Sequence, residues 1–138
     1  MKKILVTFDM FREGFSELEN KYEVTFPNGR DFSYDEISEM IPQYDVLCSM
    51  FDFPVDKALI DRGVNLKLIA NYAVGYNNID VAYALSQGLT VANTPDSVTA
   101  PTAPLALGFM LATARRIPEC DRKLRTLGTA MHAGRRVY

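Results

Sequence analysis

The chain has 138 residues, a hydrophobic content of 48% and a formal net charge of −2 at pH 7. This length fits one ordinary domain and is too short for two full ones, and the hydrophobic content argues against a disordered chain. The charges are spread along the sequence. No basic run is longer than two residues, and a pair such as Arg135 and Arg136 is too short for a nucleic-acid or anionic-membrane binding surface.

The two cysteines and the apolar segments indicate a compartment. Cys48 and Cys120 are widely separated and form neither a zinc pattern nor a disulfide framework, so we expect free thiols in a reducing environment. The apolar run near the start is interrupted by Asp9, which argues against a secretory signal. The longest uncharged apolar stretch, residues 103–114, is too short to span a bilayer. These features predict a cytoplasmic protein without a membrane segment.

Strand-like runs alternate with helical patterns over the first hundred residues. The predicted strands are residues 2–8, 22–26, 44–49, 66–72 and 89–94. The predicted helices are residues 11–20, 33–40, 54–62 and 79–86, the second opening on a capping box of Ser33 and Glu36. Strands rich in Val, Ile and Leu that alternate with helices indicate an α/β fold, a three-layer, doubly wound, parallel five-stranded sheet of flavodoxin-like type.

Ligands of such sheets bind beyond the carboxyl ends of the strands, near the point where the strand order reverses. The decapeptide "NYAVGYNNID" (71–80) lies there. Gly75 has two readings. It can bring backbone N–H groups close to a carboxylate or phosphate, or it can serve only the turn into the next helix, with Asn77 or Asn78 as the N-cap. The residues alone favour the turn.

Other residues at these positions exclude two classes of small α/β domain. A phosphoacceptor receiver domain needs further acidic residues beside Asp9 and an aspartate after the third strand, where Cys48 and Ser49 stand. A flavodoxin needs a hydroxyl- and glycine-rich loop after the first strand, and "DMFREGF" is not one. Asp9 is therefore interpreted as a helix cap or a surface residue, and His132, the only histidine, as an incidental surface residue.

The segment "LKLIANYAVGYNNIDVAYALSQGLTVANTPDSVTAPTAPLALGFMLATARRIPECDRKLR" (66–125) resembles the amino-terminal half of the D-isomer-specific 2-hydroxyacid dehydrogenases. The shared pattern is a strand leading into a glycine, an "NID" turn, an "NTP" strand and a helix ending in "ARR". The resemblance implies a substrate-binding domain over residues 1–100, a connecting, interdomain-type helix over 101–125 and a tail over 126–138. Complete members transfer hydride between NAD(P) and a small 2-oxo or 2-hydroxy acid.

The same resemblance implies the site residues. Backbone amides matching Val74 and Gly75 hold the substrate carboxylate, whereas Phe51 and Asp52, in the loop after the third strand, face the substrate side chain. Thr102 matches a position that touches the nicotinamide cofactor. No metal is implied.

The chain also departs from the family pattern. The dinucleotide fingerprint G-x-G-x-x-G is absent, and the catalytic arginine, acidic residue and histidine of full-length members have no counterpart, His132 included. The resemblance therefore implies a member truncated before its NAD-binding domain, with no catalytic residue, inactive and without NAD(P) on its own. Two alternatives stay open, a stand-alone 2-oxo acid-binding or regulatory module and a subunit that needs a separate cofactor-binding chain.

Two expectations concern the connecting helix. Pro104 stands where members usually carry an acidic residue, and because proline is poorly tolerated beyond the first turn, the helix is predicted to begin late. Residues 105–114 are apolar on almost every side. A helix of that kind must be covered all round, so we predict a homo-oligomer formed through it.

Overall fold

The computed structural model describes residues 1–127 of the chain. The chain divides into two compact units between Ser97 and Val98. Within the described residues, the first unit contains all the strands, and the second unit contains two helices.

A five-stranded, entirely parallel sheet forms the centre of the first unit, with the strand order β2-β1-β3-β4-β5. The strands are β1 Lys3–Val6, β2 Glu23–Thr25, β3 Val46–Met50, β4 Leu68–Tyr72 and β5 Thr90–Ala92. This order confirms the doubly wound, flavodoxin-like sheet predicted from the sequence. The carboxyl ends of β3 and β4 lie side by side, because Ser49 pairs with Asn71 and Met50 with Tyr72.

Four helices follow the strands of this unit, in part as predicted. They are α1 Ser16–Glu19, α2 Tyr34–Met40, α3 Lys57–Arg62 and α4 Val81–Ser86. The capping box is confirmed, since the Ser33 side chain accepts from the Glu36 N–H and the Glu36 carboxylate accepts from the Ser33 N–H. The first predicted helix is shorter, because residues 12–15 form a 3-10 turn ahead of α1.

Two predicted helix starts are wrong, for a common reason. Val55 and Ile79 pair in an isolated parallel bridge, which holds both residues extended. Consequently α3 begins after the N-cap Asp56 rather than at Pro54. In the same way α4 begins after the N-cap Asp80, and neither Asn77 nor Asn78 is the cap.

The two faces of the sheet are covered unequally. On one face Leu5, Leu47 and Ile69 are fully buried against residues of α2, α3 and α4. The other face carries a smaller cluster, and a groove of about 390 Å³ remains beside it, lined by Cys48 among other residues. Burial raises the pKa of the Cys48 thiol to about 11, so the thiol stays neutral and packs as a small apolar group.

The second unit contains α5 Thr99–Ala114 and α6 Ile117–Leu127 within the described residues. Two predictions fail here. The helix does not begin late, because Pro104 lies inside α5, which starts at Thr99. The single helix predicted over residues 101–125 is interrupted at Arg116, whose φ of 54° ends α5. In the described part of the chain, no helix is long and apolar enough to cross a membrane.

Candidate functional site

The loop that follows β4, residues 73–76 (the β4 loop), is held by its carbonyl groups. The carbonyl oxygens of residues 73, 74 and 75 accept hydrogen bonds, in that order, from the Thr94 N–H at 2.9 Å, from Asn93 Nδ2 at 2.7 Å and from Asn71 Nδ2 at 3.0 Å. All three donors belong to the ends of β4 and β5 or the residues just beyond them. The negative ends of three successive peptide dipoles therefore point inward, toward the ends of β4 and β5.

The corresponding N–H groups face the other way. In a trans peptide the C=O of one residue and the N–H of the next point in opposite directions, so the amides of residues 74–76 are directed away from the groups that hold the loop. These three amides donate no hydrogen bond to any acceptor within residues 1–127. Val74 is 41% exposed, and Gly75 and Tyr76 are exposed as well. Consecutive outward N–H groups make a concave site suited to a small anion.

Gly75 is not required by the fold of the described residues. Its φ is not positive, and a Cβ added to it would meet no heavy atom within 4 Å. Gly88 differs because its φ is 77°, and Gly63 differs because an added Cβ would clash with the Leu66 side chain. The turn therefore does not require a glycine at position 75, and open space remains next to the free amides.

A pair of asparagines lies beneath the β4 loop. Asn71 is only 3% exposed. Its Nδ2 donates to Asn78 Oδ1 at 3.1 Å, and Asn78 Nδ2 donates back to Asn71 Oδ1 at 3.2 Å. The buried Ser49 hydroxyl donates to the same Asn71 Oδ1 at 2.9 Å. Sequence reasoning missed this pair, although a polar side chain at an inward strand position is a signal that could have identified Asn71.

The same pair holds the loop that follows β3, residues 50–53 (the β3 loop). Asn78 Nδ2 donates to the Met50 carbonyl at 3.0 Å and to the Phe53 carbonyl at 2.9 Å. Phe51, which is 66% exposed, and Asp52 are at the tip of this loop. The structure thus brings together the two loops that carry four of the five site residues suggested by the sequence.

A small cavity of about 170 Å³ lies between the ends of β1 and β3, and Asp52 and Phe53 contribute to its lining. Thr7 also lines it, and the Thr7 hydroxyl is buried without a hydrogen-bond partner in the described chain. Because an unpaired buried hydroxyl costs free energy, a polar group that entered this cavity and bonded to Thr7 would stabilise the protein.

The described residues do not fit a dinucleotide. A pyrophosphate needs a glycine-rich turn at a free helix N-terminus, but the N-termini of α3 and α4 are occupied by the carboxylates of Asp56 and Asp80. The N-terminus of α5 has no side-chain cap, but residues 89–98 ahead of it contain no glycine. The pKa of Asp56 lies below its usual value, because the Leu59 N–H and the Tyr34 hydroxyl donate to the carboxylate and keep it ionised. Thr102 is exposed in the first turn of α5, in the second unit.

Metal ligation finds no support in residues 1–127, where no group of three His, Cys, Asp or Glu side chains is placed to hold an ion.

Comparisons with known proteins place the chain in a family. Residues 4–132 match the family model described as "D-isomer specific 2-hydroxyacid dehydrogenase, catalytic domain". A protein of Staphylococcus epidermidis, provisionally named a 2-hydroxyacid dehydrogenase, is 40% identical over 129 residues, which are 93% of this chain and 41% of that protein.

Solved structures agree with this match. The TT0316 protein from Thermus thermophilus has a TM-score of 0.81 and 30% identity, covering 96% of this chain and 43% of that one. The glyoxylate/hydroxypyruvate reductase SmGhrB from Sinorhizobium meliloti, in complex with NADP and malonate, has a TM-score of 0.69 and 25% identity, covering 99% and 41%. The chain thus spans less than half the length of these relatives. It belongs to the D-isomer specific 2-hydroxyacid dehydrogenase family, whose catalytic domain it matches.

Proposed function

We propose that this chain is the substrate-binding half of an NAD(P)-dependent D-2-hydroxyacid dehydrogenase and binds the carboxylate of a small 2-oxo or 2-hydroxy acid. In this proposal the N–H groups of Val74 and Gly75 hold the two carboxylate oxygens, and the Tyr76 N–H adds positive potential beside them. The observation that carries the proposal is the polarity of the β4 loop, whose three carbonyls are bonded inward while its three amides are free.

Gly75 gives the proposal its steric support. Because neither the backbone conformation nor packing against the described residues needs a glycine there, the space it leaves open is available to a ligand. Backbone N–H groups without a side chain in front of them can approach a carboxylate directly. Hydrogen bonds to a charged group contribute about 1.5–3 kcal/mol each. Two such bonds would give an affinity of about millimolar strength, since about 4 kcal/mol corresponds to 1 mM.

The β3 loop is the second element of the proposed site. Phe51 and Asp52 are exposed at its tip, and Asp52 lines the cavity that contains the unpaired Thr7 hydroxyl. We assign the substrate side chain to this loop. An aromatic ring and a carboxylate at the tip would favour acids whose side chains combine apolar surface with a hydroxyl or amino group.

The proposal separates substrate binding from hydride transfer. NAD(P) supplies the hydride in such a reaction, and the only residue here assigned to it is Thr102, as a single contact to the nicotinamide. One threonine does not hold a dinucleotide, and the described helix N-termini beside the β3 and β4 loops are occupied by aspartates. We therefore expect this 138-residue chain by itself neither to bind NADH measurably nor to reduce a 2-oxo acid.

Isothermal titration calorimetry of the purified chain tests the proposal. Glyoxylate should bind with an affinity of about millimolar strength, whereas glycolaldehyde, which has the same aldehyde but no carboxylate, should not bind. NADH should produce no binding heat in the presence or absence of glyoxylate. Equal binding of glyoxylate and glycolaldehyde would refute carboxylate recognition, and tight stoichiometric binding of NADH would refute the separation of the two halves.

A further inference from the structure

The paired carboxamides of Asn71 and Asn78 connect two loops that make no other hydrogen bond to each other within residues 1–127. We infer that Asn71 and Asn78 are positioning residues, which hold the β4 loop and the β3 loop as one unit and so keep the Tyr76 N–H directed outward beside the carboxylate-binding amides of Val74 and Gly75. This inference rests on the function proposed above. It assigns these two asparagines a role in binding that requires no contact with the ligand.

Every donor of the pair is engaged within the protein. Asn78 Nδ2 reaches the carbonyls of Met50 and Phe53, and Asn71 Nδ2 reaches the carbonyl of Gly75. Only an NH₂ group can donate to these carbonyls, so the orientation of both carboxamides is fixed. The Ser49 hydroxyl donates to Asn71 Oδ1 and reinforces that orientation. Consequently neither side chain has a donor left for a substrate oxygen.

The connection determines where the Tyr76 N–H points, because Asn71 Nδ2 holds the carbonyl of the same peptide. If Asn78 is removed, Asn71 loses its reciprocal partner, the Phe53 carbonyl loses its donor, and the Met50 carbonyl keeps only the Phe53 N–H. Asn71 Nδ2 is then less constrained to face the Gly75 carbonyl. Rotation of that peptide would turn the Tyr76 N–H away from its outward direction, because the C=O and the following N–H belong to one rigid plane. A defect at Asn78 should thus reach both loops.

Amide hydrogen exchange followed by NMR offers one probe on each side of the connection. The Phe53 N–H bonds to the Met50 carbonyl in the β3 loop, and the Thr94 N–H bonds to Ala73 in the β4 loop. In ligand-free Asn78→Ala, protection of both amides should fall together. The Phe32 N–H, bonded to the Thr7 carbonyl elsewhere in the same unit, should keep its protection. Loss of protection at Phe53 alone, or at neither probe, would overturn the inference.

Glyoxylate titration of the same samples supplies the functional readout. Asn78→Ala should weaken glyoxylate binding by about tenfold or more, the effect of losing about 1.4 kcal/mol of preorganisation. Asn77→Ala is the matched control, because Asn77 is adjacent and exposed and its side chain makes no hydrogen bond within the described chain. This variant should leave glyoxylate affinity and amide exchange unchanged. Wild-type affinity in a folded Asn78→Ala protein would overturn the positioning role.

A second variant covers the case in which Asn78→Ala does not fold. Ser49→Ala removes only the hydroxyl that donates to Asn71 Oδ1, and it should change glyoxylate affinity and Thr94 exchange in the same direction by a smaller factor. No change in either would count against the inference. The two proposals also fail differently. If the unmodified chain does not bind glyoxylate, the proposed function is refuted together with the binding role built on it. The exchange probes test the connection between the β3 and β4 loops independently of glyoxylate binding.

Discussion

Substitution of Gly75 by alanine distinguishes two possible roles of this glycine, one in folding and one in ligand binding. The added Cβ meets no protein atom within 4 Å, and the backbone there has no positive φ. The folded state should accept the methyl group without strain, and the unfolded chain loses conformational freedom, so we expect a stability gain of about 0.4–1 kcal/mol. The same methyl group would project into the space beside the free amides and obstruct an approaching carboxylate.

The expected loss of affinity follows from the bonds at risk. Displacing the carboxylate from one charge-assisted hydrogen bond costs about 1.5–3 kcal/mol, which weakens glyoxylate binding by about tenfold to a hundredfold. Urea unfolding measures the stability, and calorimetric titration measures the affinity. Gly14→Ala is the control, because Gly14 also has open space and no positive φ but lies in the 3-10 turn before α1. A Gly75→Ala protein that binds glyoxylate as well as the Gly14→Ala protein would refute the reasoning.

Three further predictions concern other parts of the chain. If α5 mediates self-association, Phe109→Glu should raise the dissociation constant of the oligomer by about tenfold or more in sedimentation equilibrium, because it places a charge at a position that is 65% exposed. An unchanged dissociation constant would exclude the Phe109 surface of α5 as the interface. Thiol labelling at pH 8 should be biphasic, fast at exposed Cys120 and slow at Cys48. Because the pKa of the Cys48 thiol is about 11, the labelling rate of Cys48 should rise about tenfold per pH unit up to pH 10. Equal labelling rates at the two cysteines would contradict the burial of Cys48. The Arg30 guanidinium lowers the pKa of Glu36 from 4.5 to about 2, so this carboxylate stabilises the fold above about pH 4.5 and its contribution disappears as the pH falls to about 2. In urea unfolding, Glu36→Gln should therefore be less stable than wild type at pH 7 and equally stable near pH 2. A stability difference that persists near pH 2 would contradict this prediction.

Local rules predict some features of this chain well. The capping box at Ser33 is recognisable because both of its hydrogen bonds join residues three apart. The five strands are recognisable because buried parallel strands have continuous apolar sequences. The sequence pattern misplaces the starts of α3 and α4, because the bridge between Val55 and Ile79 spans 24 positions in the sequence and leaves no local signal.

The candidate site shows the same limit more sharply. The family resemblance indicated Val74 and Gly75, but no sequence rule shows whether a Cβ at Gly75 would meet an atom, and here the surrounding space is open. Asn78 stands just before a helical pattern, and this position suggests a helix cap. Its actual partners are the carbonyls of Met50 and Phe53, far away in the sequence. Such roles depend on which strands are neighbours, and therefore become visible only with the tertiary structure.

The most direct test of carboxylate binding is an amide-resolved NMR titration of the uniformly ¹⁵N-labelled chain with glyoxylate. We expect the signals of Val74, Gly75 and Tyr76 to move together and to saturate at one common concentration, because these amides are free and point outward. Glycolaldehyde should leave them unchanged. If glyoxylate leaves these three signals in place, or moves only signals elsewhere in the chain, the β4 loop is not a carboxylate site.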